Sequence, residues 1–151
     1  MTLIRHPAPK LRLSQLLRRP GGITVSEALE RAETGLAEIA DPCRQALDLA
    51  LAKAEAAERA LGADPGDERS LRALYAAADE MVGLAGPAGQ VDVGTAAYSL
   101  CELVDRALNG GTLKPAAVRV HLDALTLLRR DTAGEGVRRA VLEGLAQVAR
   151  R

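Results

Sequence analysis

An all-α fold is what this sequence predicts, and three observations predict it. Leu, Val and Ala must build the core, because 48% of the 151 residues are hydrophobic while Phe and Trp are absent and Tyr occurs only twice. Together with Glu and Arg these residues form a vocabulary that favours helix over strand. Apolar positions recur at steps of three and four along most of the chain, and no alternating pattern of useful length competes with them. Gly and Pro clusters cut that pattern into segments of helical length. A chain of this size fits one domain around one core.

Residues 1–22 form a basic arm ahead of the folded part, with Arg5, Lys10, Arg12, Arg18 and Arg19 and no acid. A solvated tail is the expected state of such a terminus. The fold is expected to start after the breaker Pro20-Gly21-Gly22, where Thr24 and Glu27 have the spacing of a capping box. From there an apolar stripe runs through Leu29, Ala32, Leu36, Ile39, Cys43, Leu47, Ala50, Ala54, Ala57 and Leu61. Those steps mark one face of a helix. Asp41-Pro42 interrupts it, and an interior proline removes a hydrogen bond and crowds the preceding turn. Either a kink or two helices, 25–40 and 42–61, would accommodate it.

The run 62–67, Gly-Ala-Asp-Pro-Gly-Asp, reads as a loop. A helix over about 67–85 follows, with Leu71, Leu74, Tyr75, Ala78, Met81, Val82 and Ala85 on its apolar side, stopped by Gly86-Pro87 and Gly89. The next spans about 91–108, presents Ala97, Leu100, Cys101, Val104 and Leu108, and ends at Asn109-Gly110-Gly111, a left-handed stop. Pro115 opens another to about 130, carrying Val118, Leu122, Leu125 and Leu128. Thr132-Ala133-Gly134 precedes a last amphipathic helix with Val137, Val141, Leu145 and Val148. The implied architecture is an antiparallel four-helix bundle over 23–131, with the helix of 132–151 packed on it, since the connections are short and each helix has one apolar stripe.

Residues 75–89, Tyr-Ala-Ala-Ala-Asp-Glu-Met-Val-Gly-Leu-Ala-Gly-Pro-Ala-Gly, resemble the central helix of histidine-containing phosphotransfer domains, including the one that begins chemotaxis histidine kinases. In that family an aromatic or aliphatic residue and an alanine precede the phospho-accepting histidine. A lysine and a glycine follow it at three and four positions, and then small residues. Tyr75, Ala78, Gly83, Ala85, Gly86 and Gly89 match these places, and the resemblance extends loosely over residues 25–130. Asp79 stands at the histidine position and Val82 at the lysine position, so both chemical groups are missing. A carboxylate cannot replace a neutral imidazole nitrogen in attacking a phospho-aspartate, because its charge repels the incoming phosphoryl group. By helical angle Arg72, Ala76, Asp79 and Gly83 share the face opposite the apolar stripe, with Glu80 at its margin. The resemblance thus implies a degenerate phosphotransfer bundle, not an enzyme. It would bind a response-regulator receiver domain or a histidine kinase through Arg72, Ala76, Asp79, Glu80, Val82, Gly83 and Gly86. The opening segment 13–25 is also similar to chemotaxis-cluster CheE-type proteins, which points to the same kind of pathway.

The other motifs are silent. Lys+Arg and Asp+Glu balance at 20 each, so no global field draws the chain to nucleic acid or anionic lipid. No Walker loop, dinucleotide fingerprint, metal-ligand set or serine-nucleophile turn occurs, and no cofactor is expected. Cys43 and Cys101 read as small buried apolar side chains within helical stripes. His121 is expected at the core edge or an interface, and His6 lies in the basic arm. With no apolar run long enough to span a bilayer and no signal peptide, a cytoplasmic address is the default expectation. A second functional expectation, of a different class, is a self-associating scaffold unrelated to phosphorelay. Its homodimer seam would be the Leu29–Leu61 stripe or the last helix.

Overall fold

The computed structural model describes residues 22–64, 66–130 and 133–149. The basic arm up to Gly21, and His6 with it, lies outside the described residues. Five helices, and no strand, occur among those described: α1 (Val25–Ala63), α2 (Glu68–Ala85), α3 (Val91–Leu108), α4 (Pro115–Arg129) and α5 (Glu135–Ala149). The chain divides into two compact units, Met1–Gly35 and Leu36–Arg151.

In the first unit the start of α1 is fixed as its sequence implies. The Thr24 backbone N–H donates to Glu27 Oε2 at 2.7 Å, and the Glu27 N–H donates to Thr24 Oγ1 at 3.2 Å. Two donors that a helix start leaves unpaired are thereby satisfied reciprocally. These bonds hold the Glu27 carboxyl below its ordinary range. No side chain from 22 to 35 is buried.

The second unit carries the core. Leu47, Ala50, Ala54, Ala57 and Leu61 of α1 meet Leu71, Leu74, Ala78 and Met81 of α2, Val93, Ala97, Leu100 and Val104 of α3, and Val118, Leu122, Leu125 and Leu128 of α4. Cross-helix contacts give the directions. Arg129 of α4 donates to Asp48 of α1 at 2.9 Å and Arg119 of α4 to Glu58 at 3.4 Å, so these two helices run in opposite senses. Between α3 and α4, Gln90 reaches the Arg129 carbonyl at 3.5 Å and Ser99 meets His121, which is again antiparallel. Helix α5 lies against α3 and α4, with Leu145 buried and Arg138 donating to Asp92 of α3 at 2.6 Å.

Local signals explain the boundaries. Asp67 caps α2 by accepting from the backbone N–H groups of Arg69 and Ser70. Gly110, at φ 91°, ends α3 in the left-handed region that only glycine enters freely. Gly111 follows so tightly that a β-carbon there would sit 2.8 Å from the Arg106 carbonyl oxygen.

Of the two alternatives at Pro42 the structure has the single helix, since α1 is continuous from 25 to 63 and the proline lies inside it. Two expectations need correction. The apolar stripe of α1 is not covered along its whole length: Leu29, Leu36 and Ile39 are exposed, Cys43 is half-buried against the core, and full burial begins at Leu47. Periodicity shows that a face is apolar but not whether anything packs on it. Val137 of α5, placed on a buried stripe by the same reasoning, is also exposed.

Candidate functional site

Helix α2 separates into two sides. Leu71, Leu74, Ala77, Ala78, Met81 and Ala85 are buried, whereas Arg72, Ala76, Asp79 and Gly83 are exposed. The four residues grouped by helical angle therefore do share a solvent-facing surface. Arg72 is not free within it, because its Nε and Nη2 donate to Glu68 Oε1 at 2.9 and 2.6 Å, one turn back. Glu80 accepts from Lys53 Nζ at 2.7 Å and so ties the margin of this face to α1. Among the described residues Asp79 has no ion-pair partner, which leaves its carboxylate the free charge at the centre.

Ala76 and Gly83 stand one turn before and one turn after Asp79. A β-carbon built on Gly83 would meet nothing within 4 Å, nor would one on Gly86. Among the described residues, neither glycine is required by a close neighbour. Gly94 of α3 is the contrast, since a β-carbon there would lie 2.9 Å from that of Ala85. There the two helices approach as closely as a missing side chain allows.

Val82 differs from its neighbours. It is half-buried against the core and lines a shallow recess of about 380 Å³ with Ala85, Gly86, Val91, Thr95 and Tyr98. The exposed face thus continues from α2 onto α3, where Val91 and Tyr98 stand open at 71% and 58% exposure. The α3 contribution is not in the sequence-derived set. The spacing of Val91, Thr95 and Tyr98, at steps of four and three, marks a second stripe on α3 beside the buried one.

Asp79 also acts electrostatically inward. Burial, and after it the charge of Asp79, pushes the Cys101 thiol up to about 11. The Tyr75 phenol is raised too, first by Cys101, then by burial and by Asp79. Both effects are those of a fixed negative charge and low polarity disfavouring a second negative charge nearby. Cys101 is buried and Cys43 half-buried against the core, and both are free thiols.

His121 lies deeper than the core edge expected for it, being fully buried at 0% exposure. Its Nδ1 sits 2.8 Å from the Ala117 carbonyl oxygen and its Nε2 3.0 Å from Ser99 Oγ. A carbonyl only accepts, so Nδ1 carries the proton and Nε2 accepts from the Ser99 hydroxyl. Burial lowers this imidazole below the ordinary histidine range, outweighing the bond to Ala117. Both nitrogens are engaged, and no incoming phosphoryl group can reach them without opening the bundle.

Among the described residues, no group of three or more His, Cys, Asp and Glu side chains could hold a metal ion, and no helix is long and apolar enough to cross a membrane. No protein-family model, no curated protein and no solved structure matches the chain.

Proposed function

We propose that the chain is a non-catalytic signalling module of the two-component or chemotaxis type. In this reading it is a pseudo-phosphotransfer protein that docks a response-regulator receiver domain or a histidine-kinase domain on the face around Asp79 without relaying phosphate. The observation that carries this reading is Gly83. A glycine inside a helix costs roughly 0.5–1 kcal/mol relative to alanine, and here no internal contact requires one. Its absent side chain does serve a partner that lies flat on α2, with the Asp79 carboxylate standing between Ala76 and Gly83 as the anchoring charge. The tie between Glu80 and Lys53 and the buried side of Val82 keep that surface rigid, which reduces the ordering cost of association.

Two features support binding without relay. The residue at the centre is a carboxylate, and His121 is sealed in the core with both nitrogens occupied. His6, in the basic arm, lies outside the described residues.

The test has two readouts. Binding of purified receiver and kinase domains from the same genome is measured by calorimetry against the native chain and against Gly83→Gln and Asp79→Lys. At least one domain is expected to bind the native protein and to lose affinity with both variants. In parallel, incubation with an autophosphorylated kinase or a phosphorylated receiver is expected to leave no acid-labile label on the chain. Absence of any binding domain, or a phosphohistidine, would sink the proposal.

A further inference from the structure

A cleft of about 520 Å³ opens between α3 and α5. Ser99, Glu102, Asp105 and Arg106 line it from α3, and Leu142 and Leu145 from α5. All of them belong to the second unit, and Ser99 is half-buried at the cleft wall. Its Oγ lies 3.0 Å from Nε2 of His121, whose Nδ1 is in turn fixed 2.8 Å from the Ala117 carbonyl oxygen. With the ring proton on Nδ1, Nε2 accepts the Ser99 proton. A hydroxyl held by a neutral imidazole, itself oriented by a third group, is the arrangement that activates a serine as a nucleophile. Here the imidazole is sealed in the core, and of the pair only Ser99 lines the cleft.

We infer that Ser99 is a reactive serine that takes an acyl group from an activated ester or thioester, with His121 as its general base. In the reaction the bond from Oγ to the acyl carbon forms, and the bond from that carbon to the leaving phenolate or thiolate breaks. The Ser99 proton passes to His121 Nε2 and then to the departing group beside Oγ, leaving an ester on Ser99 and a free phenol or thiol. The donor class follows from the cleft. Glu102 and Asp105 outnumber Arg106 in its lining, which opposes an anionic donor and admits a neutral or cationic one. Leu142 and Leu145 give a short acyl chain an apolar wall. Activation must come with the donor, because Ser99 lies in the interior of α3, where backbone N–H groups are spent on the helix's own carbonyls. A helix interior offers no backbone donors to the developing oxyanion, and each missing donor costs about 10²–10³ in rate. The product on Ser99 is an alkyl ester with a poor leaving group, so the same lack keeps it from turning over. Ser99 is thus a site of modification, compatible with a module that does not catalyse, and its reactivity does not depend on a partner at Asp79.

To test this, the full chain is incubated with p-nitrophenyl acetate, nitrophenolate release is followed by absorbance, and acetylated residues are located by peptide mapping. A burst of one equivalent per chain is expected, with Ser99 acetylated about 100-fold faster than Ser26 or Ser70. Ser99→Ala should abolish the burst. His121→Gln leaves a hydrogen-bonding group near Ser99 but no base, and should slow acetylation by about the same factor. A buried histidine can be needed for folding, so Ser99→Cys carries the test with His121 in place. Its thiol should be alkylated by iodoacetamide about 10-fold faster, or more, than Cys43. Acetylation of Ser99 no faster than that of Ser26, a burst that survives Ser99→Ala or a folded His121→Gln, or a Ser99→Cys thiol no more reactive than Cys43 overturns the inference. Turnover at Ser99 beyond one equivalent overturns it as a site of modification.

Discussion

Replacing Gly83 and Gly94 separately by alanine should shift stability in opposite directions, although both glycines lie within helices. At Gly83 the added β-carbon meets nothing within 4 Å, so the substitution removes the conformational cost of glycine and adds no clash. That gain is about 0.8–1.0 kcal/mol in a helix interior. Gly83 is two residues from the end of α2, which places the expected gain nearer 0.5 kcal/mol and the rise in Tm at about 1–2 °C. At Gly94 the same gain is offset by a β-carbon only 2.9 Å from that of Ala85, a contact neither side chain can relieve by rotating. Overpacking of this kind costs about 1–3 kcal/mol, so Gly94→Ala should be destabilising by about 0.5–2 kcal/mol and lower Tm by several degrees. Urea unfolding followed by far-UV circular dichroism, at constant slope, measures both. If Gly83→Ala destabilises, that glycine has an internal role and its smallness no longer argues for a partner. If Gly94→Ala is neutral or stabilising, the close approach of α2 and α3 is wrong.

Two further predictions rest on titration. His121 is held neutral by burial with its proton affinity lowered, so the unfolded chain binds a proton more readily than the folded one. Stability should therefore be flat above about pH 6.5 and decline as pH falls below it; urea midpoints measured between pH 8 and pH 5 that show no such decline would contradict the buried, neutral imidazole. Cys101 should resist alkylation. With its thiol near 11, its thiolate fraction at pH 8 is about 100-fold below that of an ordinary cysteine, before its burial is counted. Peptide mapping after timed iodoacetamide treatment would show this, and rapid labelling of Cys101 in the folded chain would refute the placement.

Helix existence and helix ends were legible in the residues because their signals are local. The predicted 91–108 coincides with α3, and the Thr24–Glu27 box, Pro115 and Gly110 each act through neighbours within four positions. What was not legible depends on residues distant in sequence. Leu29 and Leu47 lie on one apolar stripe, and only the arrangement of α2, α3 and α4 decides that the second is covered and the first is not. Pro42 could have broken α1, yet the helix continues through it. His121 read as a core-edge residue because nothing in its own helix announces Ser99, 22 residues away, as the partner of its Nε2. At the candidate site, α2 revealed its own exposed face, but the share contributed by Val91 and Tyr98 required knowing which side of α3 lies beside Val82.

The meaning of small residues in this chain follows from the same distinction. Ala50, Ala54, Ala78, Ala96 and Ala97 are wholly buried, and with no Phe or Trp to fill space the helices must approach closely over them. In that setting alanine is a packing residue, and Gly94 extends the same logic to its limit. Ala76 and Gly83 face solvent, and a β-carbon on Gly83 would meet nothing within 4 Å. Helix propensity accounts for Ala76, since alanine is the best helix former, but it argues against Gly83. Gly83 weakens its helix without serving its packing, as Gly35, Gly136 and Gly144 do elsewhere, and it sits one turn from Asp79, which has no ion pair among the described residues. Stability alone would favour alanine at 83. The proposed flat approach of a partner to the α2 backbone beside Asp79 would offset that preference, and it requires that enlarging residue 83 weaken binding while strengthening or sparing the fold.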